Sequence, residues 1–128
     1  MKSQDDSQTW VAYAEEDFAT AKSALRAKTP RLLTTCFHSQ QCAEKYMKAL
    51  LLSKSIDFPK THDLATLDIL CNQNGILTGF TPQDLVDLSG HAVHTRYPGE
   101  APTLEDAKES IEIAKAIRKF ARARLGLR

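Results

Sequence analysis

The sequence predicts an all-α domain, on three observations. Long segments repeat apolar residues at spacings of three and four, the period of a helix with one buried face. No run alternates strictly between apolar and polar residues, as a half-exposed strand would. The five glycines and five prolines among 128 residues mostly fall between the periodic segments.

The first helix is expected from about Thr9 to Ala27, with Val11, Ala14, Phe18, Ala21 and Leu25 on one stripe, and it stops before Lys28-Thr29-Pro30. The second is expected to begin at Pro30, a residue suited to a first helical position, and to run to about Ser53. Leu33, Phe37, Met47, Leu50 and Leu51 form its apolar arc, and it reads as the central helix. A shorter third helix follows Thr61, carries Leu64, Leu67 and Leu70, and ends at Asn74-Gly75, where glycine suits a left-handed cap.

Thr81-Pro82-Gln83-Asp84 announces a fourth helix, with a capping hydroxyl, a proline at the first position and a carboxylate at the third; its end is expected near His94. Tyr97 precedes Pro98, whose ring disfavours the α conformation before it, so 95–102 reads as a loop. Thr103 and Asp106 then open a last helix, with Ala107, Ile111, Ala114, Ile117 and Ala121 facing inward as far as about Leu125. No repeat or low-complexity tract divides the chain, so residues 1–128 read as one domain.

Hydrophobic residues make up 42% and charged residues 26%, the balance of a folded globule and not of a disordered chain. Seventeen Lys and Arg against sixteen Asp and Glu leave a formal charge of +1, so any anion-binding role has to come from a local patch. Double-stranded DNA is not an expected partner. The polar start of the chain and the lack of a long apolar run point to the cytoplasm and away from membranes. Cys36, Cys42 and Cys71 are odd in number, lack C-x-x-C spacing and read as reduced core thiols.

One arc of the second helix departs from the apolar pattern. Gln40 and Glu44 fall within it, and a core-facing carboxylate needs a cation, a hydrogen-bond network or water. His62, His94 and Arg96 are the expected partners, with Gln40, Glu44 and Asp63 as a structural polar network. The adjacent arc stacks Thr34, His38, Gln41, Lys45 and Lys48, which either hold an anion or form an ordinary solvated face.

Thr61 can cap the third helix and Asp63 suits its first turn; His62 is either structural or available for acid-base work. His91 and His94, at i and i+3, have no third ligand, so no metal or other cofactor is expected. With Arg96 and Tyr97 they form a polar surface that offers a guanidinium for phosphate and a ring for stacking. The basic end of the last helix, from Lys115 to Arg128, either touches nucleic acid or, as the helix dipole and solubility favour, is an ordinary solvated end.

The run Cys36-Phe37-His38-Ser39-Gln40-Gln41-Cys42-Ala43-Glu44-Lys45, then Lys48-Ala49-Leu50-Leu51, then Pro59-Lys60-Thr61-His62-Asp63-Leu64, then Arg96-Tyr97-Pro98, resembles the HEPN domain family across almost the whole chain. The resemblance implies an up-and-down bundle of four to five helices, a homodimer, and partnership with a minimal nucleotidyltransferase in a toxin-antitoxin-like module. It also implies binding of nucleotide or RNA phosphate, for which Gln41, Lys45, Lys48, His62, Arg96 and Tyr97 are the candidates. Many members are metal-independent endoribonucleases that use an Arg followed four to six residues later by His, paired across the dimer.

Here Arg31 and His38, with six residues between them, match that pattern in the second helix, while His91 and His94 precede Arg96 in reversed order. A nuclease reading therefore takes His38, His94 and Arg96 as catalytic. A third reading is a non-catalytic dimeric interaction domain specified by Gln40 and Glu44.

Overall fold

The computed structural model describes residues 4–93 and 99–128, and among them are five helices and no strand. These are α1 (Gln4–Arg26), α2 (Leu32–Ser53), α3 (Leu64–Gln73), α4 (Pro82–His91) and α5 (Leu104–Arg124). The all-α class and the number of helices agree with the sequence.

α1 and α2 pack antiparallel along their whole length. Ser7 Oγ donates to the Ala49 carbonyl at one end, and Arg31 N–H donates to the Ala24 carbonyl at the other. The Ser7 bond explains why α1 begins a turn earlier than expected: its polar first turn is docked on α2 and not left in solvent. The Arg31 bond explains why α2 does not begin at Pro30. Arg31 is drawn back onto α1 with extended backbone (φ −97°, ψ 93°), so it becomes the N-cap and the helix starts at Leu32.

α2 is the central helix, touching α1, α3, α4 and α5. Tyr46 to Leu52 are seven consecutive buried residues, so the C-terminal half of α2 is enclosed on all sides. Ala14, Phe18 and Ala21 of α1, Leu64, Leu67 and Cys71 of α3, Leu85 and Leu88 of α4, and Ile111, Ile117 and Ala121 of α5 close around Met47, Leu50 and Leu51. Leu33, placed by periodicity on the apolar arc, is exposed instead, while Thr35 and Cys36 of the same turn are buried.

The capping residues set three of the boundaries. Asp63, and not the expected Thr61, caps α3 by accepting from Ala65 N–H, while Thr61 Oγ1 accepts from Asp63 N–H two residues earlier. Gly75, at φ +81°, follows the α3 cap as predicted. Thr81 caps α4, which ends at His91, about a turn before the expected limit. Thr103 and Asp106 form a reciprocal capping box at the start of α5.

Candidate functional site

Gln40, Glu44 and Lys48 follow one another at intervals of four, so they stack on one face of α2. Glu44 is 2% exposed and Lys48 5%. Lys48 Nζ donates to Glu44 Oε2 at 3.0 Å, and His62 Nδ1 lies 3.0 and 3.1 Å from the two Glu44 oxygens. Gln40 Nε2 donates to the His62 carbonyl at 2.9 Å. The loop between α2 and α3 is thereby held through both the ring and the backbone of His62. The carboxylate has its partners: one is His62, as expected, and the other is Lys48, which the wheel had placed on the neighbouring arc.

The other side of Lys48 is aromatic. Its ammonium stands 5.3 Å from the Trp10 ring centroid and 5.7 Å from that of Phe58, within range of cation–π attraction. These groups line a cleft of about 740 Å³ between the start of α1, the end of α2 and the following loop, together with Tyr13, Lys60, Thr61 and His62. Asp6 is the carboxylate on its wall. Three aromatic faces beside two lysines form an amphipathic surface suited to a flat ring carrying negative charge. The sequence reading missed Trp10, Tyr13 and Phe58. The signal available was Trp10 and Tyr13 one helical turn apart, off the apolar stripe.

A second carboxylate faces α2 from α1. Asp17 of α1 accepts from Lys45 Nζ at 2.5 Å and faces His38 Nδ1 at 2.7 Å. Lys45 and His38 are thus joined to each other through α1, apart from the cleft. Gln41 lines a separate groove of about 630 Å³ with Phe37, Gln40, His62 and Asp63, and its amide donates to Gln40 Oε1 at 3.4 Å. Arg31 borders another groove with Lys22 and Arg26, about two helical turns from His38. His94, Arg96 and Tyr97 lie outside the described residues.

Two residues before Asp17 on α1, Glu15 receives both Arg118 Nε (2.7 Å) and an Arg118 terminal nitrogen (2.8 Å), along with the Tyr46 hydroxyl. The Arg118 hydrogen bonds hold the Glu15 carboxyl below its ordinary range, and burial with Glu15 beside it pushes the Tyr46 phenol up to about 12. This network ties α1, α2 and α5 together and is structural. His91, on α4, faces Glu109 at 3.2 Å on α5. Cys36, Cys42 and Cys71 are buried free thiols, and no cluster among the described residues could hold a metal ion. No helix among them is long and apolar enough to cross a membrane.

This helical arrangement, with its loop-anchoring knot on the central helix, matches one family: the HEPN domain model covers residues 7–124, and the chain belongs to that family. Over 98% of its length it superposes on the crystal structure of ST0689, an archaeal HEPN homologue, covering 99% of that chain with a TM-score of 0.63 and 29% identity. It is also 29% identical to a Methanocaldococcus jannaschii protein named "Putative toxin MJ1304", over 93% of this chain and 90% of the relative.

Proposed function

We propose that this HEPN domain binds a nucleotide or an RNA phosphate in the cleft of Trp10, Tyr13, Lys48, Phe58, Lys60 and His62, as the toxin-like member of a toxin-antitoxin module. The observation that carries the reading is Lys48, buried between two aromatic rings and fixed by Glu44 at the wall of an open cleft. Such a site offers ring faces for a base and cations for its phosphate, in the way single-stranded nucleic acids are held. Lys60 is exposed and makes no ion pair among the described residues, so its charge is available to a ligand.

The name of the archaeal relative supports the toxin-like role. The family resemblance supports a homodimer and a minimal nucleotidyltransferase as partner, and it leaves Arg96 and Tyr97 as further candidates for the phosphate and the base.

The experiment is thermal unfolding of the purified protein against ATP, GTP and a short single-stranded RNA. A ligand that binds only the folded state raises the midpoint. Trp10→Ala and Lys60→Ala are expected to lose the shift while remaining folded. If neither the nucleotides nor the RNA move the midpoint, the reading is wrong.

A further inference from the structure

We infer that the cleft selects guanine among the bases, with the Asp6 carboxylate reading the base edge. The inference rests on the binding reading above and names the base that the cleft takes.

The placement of Asp6 comes from α1. Asp6, Trp10 and Tyr13 stand at i, i+4 and i+7, so they share one face of the helix, and all three line the cleft. Ser7, next to Asp6, is buried and donates to the Ala49 carbonyl at 2.9 Å, which fixes the rotation of this first turn against α2. The carboxylate is therefore held one helical turn from Trp10, at the end of a row of aromatic side chains. Asp6 is exposed, so a ligand in the cleft reaches it without opening the packed interior.

The charges of the cleft are divided between its walls. Lys48 is engaged by Glu44 and by the rings of Trp10 and Phe58, which leaves Lys60, on the loop, as the exposed lysine of the cleft. A phosphate is drawn to Lys60 and repelled by Asp6. A base stacked on the α1 rings then presents its edge to Asp6 while its phosphate faces the loop.

A carboxylate requires two adjacent donors on that edge, because its two oxygens accept side by side and donate nothing. Guanine offers N1–H and the N2 amino group next to each other. Adenine and cytosine offer an amino group beside a ring-nitrogen acceptor, and uracil one N–H between two carbonyls, so each sets a lone pair against a carboxylate oxygen. Of the four RNA bases, guanine alone fits. The contact uses two of about four lone-pair positions, so it adds to whatever Asp6 already holds.

The test titrates GTP, ATP, inosine triphosphate and xanthosine triphosphate into the full chain, with affinity read by calorimetry and by the fluorescence of Trp10, the single tryptophan. GTP is expected to bind about tenfold more tightly than ATP, the discrimination of one paired contact to a base edge. Inosine triphosphate, which keeps N1–H and lacks the amino group, should fall between them. Asp6→Asn should bring GTP down to the level of ATP and strengthen xanthosine triphosphate, because an amide accepts from N1–H and donates to the carbonyl that xanthine carries at C2. A gain with one base and a loss with another needs a folded protein and a direct contact, which a structural role for Asp6 does not supply. Uridine hexamers with one central guanosine or adenosine tell a base in a strand from a free nucleotide, and the guanosine form is expected to bind more tightly. Equal affinities of the guanine and adenine forms would overturn the inference and leave the binding reading standing. A guanine preference that survives Asp6→Asn would overturn it as well. Failure of every nucleotide and both hexamers to bind would remove the two together.

Discussion

Lys48 Nζ lies 3.0 Å from Glu44 Oε2, with both side chains almost wholly withdrawn from water. Two opposite charges on one helix, four residues apart, would contribute only a few tenths of a kcal/mol at a surface. Buried, each becomes the condition for the other: their desolvation is offset only while both are present and hydrogen-bonded. The rings of Trp10 and Phe58 and the imidazole of His62 complete that shell.

Removing Lys48 alone is therefore expected to be severe. Lys48→Ala leaves the Glu44 carboxylate with His62 as its remaining partner and should cost about 3 kcal/mol. Replacing both, as Lys48→Met with Glu44→Leu, should cost clearly less, because no charge is left stranded. Urea unfolding of the two variants decides; equal losses would refute the argument.

Lys45 is expected to behave differently. Its ammonium is engaged by Asp17, across the interface between α1 and α2. Lys45→Ala should cost about 2 kcal/mol by removing a charge-assisted hydrogen bond. Any nucleotide-induced thermal shift should remain. Loss of that shift with stability intact would place the ligand on the arc of His38 and Lys45 instead.

Glu15 sets a pH dependence. Its folded-state pKa lies below the ordinary 4.5, chiefly through the Arg118 hydrogen bonds. The unfolded chain thus binds its proton first as pH falls. The stability due to Glu15 is fully present above 4.5 and is lost as pH drops through the lower folded value. Unfolding free energies measured from pH ~6 down to ~3 should show less acid sensitivity in Glu15→Gln than in wild type. An identical slope would exclude the Glu15 linkage.

The three cysteines should be silent in the folded protein. Each is buried, and burial pushes the Cys42 thiol up and the Cys71 thiol to about 12, so neither supplies thiolate at neutral pH. Labelling by a thiol reagent is expected only at the rate of unfolding. Fast labelling of one thiol in native buffer would show a local opening around that residue.

Much of the architecture was legible because it follows from local rules. The stripes through Ala14, Phe18 and Ala21 and through Ala107, Ile111, Ala114, Ile117 and Ala121 are buried as periodicity requires, with Leu25 only half-buried at the end of its helix. The caps at Thr81 and Thr103 are written in three or four consecutive residues. The helix starts that slipped, at Pro30 and before Thr9, did so through bonds to distant backbone: Arg31 to Ala24 and Ser7 to Ala49. No local pattern encodes such bonds.

The candidate site divides in the same way. Glu44 was conspicuous because a carboxylate in an apolar arc must be compensated, and His62 was among its expected partners. Trp10, Phe58 and Asp17 were not foreseen, since their importance depends on which elements meet.

By itself the sequence determined an all-helical chain, the core faces of its helices and the need for a partner at Glu44. These are properties of residue type and spacing along one helix. Only the tertiary structure decided that Lys48 turns inward between Trp10 and Phe58, that Lys45 and His38 share Asp17, and that Nδ1 of His62 meets Glu44. The reason is physical: helical spacing specifies a direction around an axis, whereas pairing a buried charge depends on which other helix or loop lies within about 3 Å of it.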